Sequence, residues 1–220
     1  QKQEAPIVIV DDINLPGPLI PIQFSVPINT DDKNASYLRA SFEAERKRNV
    51  GKINEIGEVI FLSSNTEDPE VPERSIVTDE FFTLLGMRPP VSLTRTLDPH
   101  FMAGFHRYGE IESFLIFKTD TYDVARAGML EWERTLEDEI GTFLRTPSDF
   151  RYATATDATI NRRVFTDKVF KNLDTRAILD DKGNPLFLYA FINRAYLVFV
   201  TNPETLSEIV TGLSARKVTK

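Results

Sequence analysis

Residues 113–133, "SFLIFKTDTYDVARAGMLEWE", pass from an apolar run through a small polar knot, Lys118-Thr119-Asp120-Thr121, into a helical pattern. The run ahead of the knot has the length and bounding of a buried strand. Beyond it, Ala125, Met129, Trp132, Leu136, Ile140 and Phe143 recur at spacings of four, three, four, four and three. That rhythm stacks all six on one face of a helix over 121–145, while Glu131, Glu133, Glu137, Asp138 and Glu139 fall largely elsewhere. A helix with one apolar stripe needs a sheet to cover it, so the junction predicts strand and helix layers around one core.

The same arrangement recurs near the end of the chain. "SFLIFKTDTYDVARAGML" at 113–130 is echoed by "AYLVFVTNPETLSEIVTGL" at 195–213, and each copy follows an apolar strand, "FMAGFH" at 101–106 and "FLYAFI" at 187–192. The spacing predicts two ββα-like halves. In the echo Val200 replaces Lys118 and Asn202 replaces Asp120, so the charge is not shared. Helix capping covers both copies: Thr119 or Asp120, and Thr201 or Asn202, are expected to accept N–H groups at the helix start. Pro203 suits the first position of the second helix, where no backbone donor is needed.

The remaining elements are read outward from these units. Asn34 is expected to cap a helix running to about residue 49, with Leu38 and Phe42 inward and a solvated charged end. "EVIFLS", 58–63, reads as a short buried strand, and Thr78 as the cap of a helix that Gly86 and Pro89-Pro90 end. From Val91 onward "SLTRTL" and "FMAGFH" read as strands, with a turn at 108–110. Residues 146–163 form a polar connection, and the last third is strand-rich, with hairpin turns at 182–184 and Asn193-Arg194.

The expected fold is therefore α+β: an antiparallel sheet with helices packed on one face, after an extended proline-rich N-terminal arm. The arm covers 1–33 and holds five of the thirteen prolines within its first thirty residues, which prevents helix and favours extended backbone. Residues 34–220 are expected to form one domain with halves at about 34–148 and 149–220; two small domains split near 150 are the alternative.

Composition narrows function more by exclusion. The 220 residues are 41% hydrophobic and 27% charged, as in globular proteins. A net charge of -7 counts against a broad nucleic-acid surface. With no Cys there are no disulfides, thiolate metal sites or Cys nucleophiles. No glycine-rich phosphate loop, GxSxG elbow, HExxH or calcium loop occurs, and no cofactor is expected. The two histidines, His100 and His106, are expected at opposite ends of one strand, which argues against a shared metal site.

The residues with most chemical promise are His106, Glu110 and Glu112 around the 108–110 turn, with Lys118 and Asp120 at the adjacent strand end. An imidazole beside a carboxylate can serve as an acid–base pair, although no nucleophile or third member accompanies it. The chain begins with Gln1, which suggests processing or excision from something longer. Together with the proline-rich arm, the absence of Cys and the acidic charge, this predicts a noncatalytic interaction or assembly module with a protein partner. It is expected to be the extracytoplasmic, soluble part of a membrane-tethered bacterial protein, the tether preceding residue 1. The alternatives are a cytoplasmic location, a small-ligand sensor with a pocket between the sheet and helix 121–145, and a hydrolase-like enzyme at His106, Glu110 and Glu112.

Overall fold

A computed structural model describes residues 15–48, 52–64, 73–144 and 164–215. Nine strands form one sheet in the order β1 (Phe24–Asn29), β2 (Ile56–Ser63), β4 (Leu97–Tyr108), β5 (Glu110–Thr119), β9 (Tyr196–Val200), β8 (Pro185–Ile192), β7 (Leu173–Leu179) and β6 (Thr166–Phe170). The short β3 (Arg74–Ser75) pairs with the far end of β2. β5 pairs with β9, which joins strands from before and after residue 150 in the same sheet.

The fold is α+β, with two corrections to the expected architecture. The sheet is mixed, because β1 runs parallel to β2 from Phe24 opposite Gly57 to Asn29 opposite Leu62. A parallel neighbour arises when the chain crosses back before pairing; here the crossover is α1 (Ala35–Arg48). Helices also cover both faces rather than one. α1, α2 (Thr78–Leu84), α3 (Val91–Thr94) and α4 (Tyr122–Leu136) bury Leu38, Phe42, Phe81, Leu93, Met129 and Trp132 against Phe105, Leu115, Phe117 and Phe199. α6 (Pro203–Ala215) lies on the opposite face, where Leu206, Ile209 and Leu213 meet Met102, Phe114, Ile116, Val198 and Val200, together with Leu19 and Ile20.

Strand alternation explains how both layers are filled. Leu115 and Phe117 of β5 face one core while Phe114 and Ile116 face the other, and all four are fully buried. All six residues of the α4 stripe are buried too. Its last turns widen into a π turn, Glu137–Gly141, before α5 (Thr142–Leu144). Arg39 ties that turn down, donating to the Glu139 carbonyl (3.3 Å), Thr142 Oγ1 (3.0 Å) and the Leu85 carbonyl (2.9 Å).

The order strand, strand, helix occurs in both places, but the helices break the repeat. β5 and β9 are antiparallel with Ile116 opposite Val198, the two residues that the echo aligns. A two-fold axis through that pair, normal to the sheet, relates the hairpins and would leave both following helices on one face. α4 and α6 instead take opposite faces, so the ββα units are not equivalent.

Local expectations were corrected at three points. "SLTRTL" is a helical turn, α3, leading into β4, because Pro90 starts it and Leu93 anchors it against Gly128, where an added Cβ would lie 2.8 Å from Leu93. Thr78 is the first residue of α2 rather than its cap; its hydroxyl donates to the Asp98 carbonyl (2.7 Å), and Glu80 accepts the Val77 N–H (3.0 Å). The third concerns the polar knot, below. Asn34 and Asn202 do cap, accepting the N–H of Tyr37 (2.9 Å) and of Thr205 (2.7 Å). Residues 1–14 of the arm and the 146–163 connection lie outside the described residues. No helix among the described residues is long and apolar enough to cross a membrane.

Candidate functional site

The knot after β5 does not cap α4. Thr121 is the N-cap and makes no side-chain cap bond. Among the described residues the buried Thr119 hydroxyl has no hydrogen-bond partner, and Asp120 is exposed, accepting from the Thr121 hydroxyl (2.8 Å) while its own N–H goes to the Thr96 carbonyl (3.2 Å). That backbone bond ties the chain entering α4 to the chain leaving α3, the helix against which α4 packs. Lys118 is exposed and pairs with Asp98 (3.3 Å), an ion pair worth little in water.

His106 and Glu112 lie opposite each other on β4 and β5, on the α6 face, and each bonds to a threonine of the α6 end rather than to the other. His106 is 2% exposed; its Nδ1 lies 2.9 Å from Thr205 Oγ1 on α6, while Nε2 has no partner among the described residues. Burial holds its pKa below the usual imidazole value, opposed by the Glu208 carboxylate. Glu112 accepts a 2.5 Å bond from the Thr201 hydroxyl. Glu110 stands exposed beside the Gly109 turn, opposite Tyr108. Lys118 is six residues from Glu112 along β5, or about 20 Å at the strand rise. The five candidates therefore form two separate groups at opposite ends of the hairpin. Within the first group His106 alone is sealed beneath α6, where it serves packing; Glu112 is partly buried and Glu110 stands in solvent.

Glu58, which the sequence reading passed over, lies on the same face as His106. It sits opposite Gly104 on β4 and is 7% exposed. Burial pushes its carboxyl up to about 7. With His100, Leu15 and Pro16 it lines a cavity of about 20 Å³, room for about one water. Among the described residues no group of three or more His, Asp or Glu side chains is placed to hold a metal ion.

Two open concavities lie elsewhere: one of about 440 Å³ between Thr30, Asp31 and the start of α2, and one beside α4 on the wing of the sheet made by β8, β7 and β6, which gathers more aromatic and cationic side chains. The second has a volume of about 460 Å³. Tyr122, Arg126 and Leu130, one turn apart along α4, form one wall; Tyr189 and Phe191 of β8 and Arg176 of β7 form the floor. The floor is rigid. Glu133 accepts Arg176 Nε (2.7 Å), Arg176 Nη2 (2.6 Å) and the Tyr189 hydroxyl (2.7 Å), and Arg176 also reaches Asp167 (3.1 Å). Hydrogen bonding to Glu133 keeps the Arg176 guanidinium charged, and burial together with Glu133 holds the Tyr189 phenol protonated. The rim is aromatic and cationic: Tyr122 meets Phe191 edge-on at 5.1 Å, and the Arg194 guanidinium lies 4.3 Å over the Tyr122 ring. Arg126 is exposed and, among the described residues, makes no hydrogen bond or ion pair.

Sequence reasoning missed this wing because its parts are distant in the chain. Glu133 and Arg176 are 43 residues apart, and Glu133 on the polar side of a helical stripe reads as solvated. The chain was compared with protein-family models, with curated proteins and with solved structures, and nothing matches.

Proposed function

We propose that the protein is a noncatalytic interaction module, the extracytoplasmic soluble part of a membrane-tethered bacterial protein, which takes a protein partner on the β6–β8 wing. The observation that carries the reading is the wing cleft: a hydrogen-bonded floor, an aromatic rim and the exposed Arg126 beside Leu130, which is 43% exposed. Tyr and Arg around an apolar patch are the residue types enriched at protein interfaces. The composition supports the setting, since a chain without Cys tolerates an oxidising exterior.

The cleft also falls in the size range of small-ligand sites, roughly 300–1,000 Å³. It opens widely and its rim is charged, which suits a protein surface better than an enclosed apolar pocket. The hydrolase-like reading draws no support from His106, whose ring is sealed under α6.

The test compares tagged wild-type protein with an Arg126→Glu, Leu130→Asp variant, each crosslinked in its own cells and purified. Both positions are exposed, so the variant is expected to keep the wild-type circular dichroism spectrum. Loss of a defined crosslinked partner supports the reading. Retention of every partner by the folded variant refutes it.

A further inference from the structure

We infer that β6 is a docking edge, which an extended segment of the partner protein joins as an antiparallel strand. The reading rests on the wing being the partner face, since Asp167 of β6 also lines the wing cleft. A sheet edge presents unpaired backbone groups and must be blunted or used. The two edges of this sheet differ. β1 carries Pro27 at its centre, and proline has no N–H to offer a further strand. β6, "TDKVF" at 166–170, has no proline and, among the described residues, pairs only with β7. Its first four residues are exposed; Val169 is 66% exposed and the preceding Val164 73%.

Backbone alternation shows which groups are free. The turn Lys171-Asn172, with φ of 52° and 62°, is closed by the pair Phe170 and Leu173. Alternation of bonded and unbonded pairs from that closure turns the N–H and C=O of Val169 and Asp167 outward.

Charge then selects against a second copy. Antiparallel pairing of two β6 strands about a two-fold axis normal to the sheet keeps every side chain on its own face, so opposite residue numbers sum to an even number. The central registers place Lys168 opposite Lys168 or Asp167 opposite Asp167, both repulsive. Moving the axis to Val169 leaves only 168–170 of each strand in the ladder. A foreign strand suffers neither penalty. Its complementary order, read from its N-terminus, is a β-branched residue opposite Val169, an acid opposite Lys168 and a base opposite Asp167.

The probe is a blocked ten-residue peptide with Val-Glu-Lys-Thr at its centre, titrated to about 1 mM into the ¹⁵N-labelled protein. Saturable amide shifts confined to 166–170 and its β7 partners are expected. The peptide with Val-Lys-Glu-Thr should bind about tenfold more weakly, from two reversed cross-strand pairs. Lys168→Glu, at an exposed position, should weaken the first peptide. N-methylation of the peptide groups facing Asp167 and Val169 should abolish binding. Equal binding of the two peptides, shifts elsewhere alone, or no shifts overturn the inference. Concentration-dependent shifts at 166–170 without peptide assign the edge to a second copy and overturn it too. If the peptide fails while the Arg126→Glu, Leu130→Asp variant still loses its partner, the edge falls and the wing reading stands.

Discussion

Replacing Glu58 with Gln gives the sharpest physical test of the packing between β2 and β4. The folded protein raises this carboxyl from 4.5 to about 7 through burial, so the folded state binds the proton more tightly than the unfolded chain. A raised carboxyl contributes stability that is full below the unfolded value of 4.5, fades as pH climbs, and is gone above about 7. At about 1.4 kcal/mol per unit, holding the ionised form folded costs about 3 kcal/mol. Gln keeps the shape and never ionises. The difference in stability between Glu58→Gln and wild type should therefore move in the variant's favour by about 2–3 kcal/mol from pH 5 to pH 8. Urea unfolding of both proteins at the two pH values measures it. His106 titrates in the opposite sense, its depressed pKa giving stability that is lost as pH falls, and taking the difference between the proteins cancels that background. A difference that is the same at pH 5 and pH 8 would refute the burial argument.

Four further substitutions probe other joints of the structure. Thr205→Val removes the hydroxyl at His106 Nδ1 and leaves a buried ring with no partner, which should cost about 1–3 kcal/mol in urea unfolding; unchanged stability would contradict the contact. Gly104→Ala places a Cβ 2.2 Å from the Gly57 carbonyl and 2.5 Å from Phe114 Cζ, and should lower stability by at least about 1–3 kcal/mol, visible as a fall in thermal midpoint. Asn202→Ala should cost about 1 kcal/mol as a lost cap, whereas Asp120→Ala should fall within about 0.5 kcal/mol of wild type; equal costs would restore the capping role to the knot.

Much of the fold was legible because periodicity reports burial directly. The α4 stripe, the β4–β5 and β8–β9 hairpins and the Asn34 and Asn202 caps each follow from residues a few positions apart. What sequence left open were choices between distant alternatives. β5 and β9 are apolar on both faces, so alternation cannot say on which side the following helix packs, and α4 and α6 chose differently. The parallel pairing of β1 depends on β2, about thirty residues further along, and proline density indicates only that a segment is extended.

The candidate site was less legible for the same reason. His106 and Glu112 were correctly neighbours across a hairpin, but Lys118 lies along the same strand as Glu112, and a strand carries residues apart as fast as a chain can. Glu58 carried a signal that went unused: a lone carboxylate opening the apolar run "EVIFLS". The wing cleft joins α4 to strands beyond residue 166, and only the finished sheet brings Arg126 near Tyr189 and Arg176.

The central claim is that a partner protein binds the β6–β8 wing. A photocrosslinking residue at Leu130, in the cleft, tests it directly against the same residue at the exposed Thr211 on α6, both irradiated in cells. The account predicts a discrete crosslinked species from position 130 that Arg126→Glu removes, and none from position 211. Silence at 130, or the same species from both positions, would contradict it.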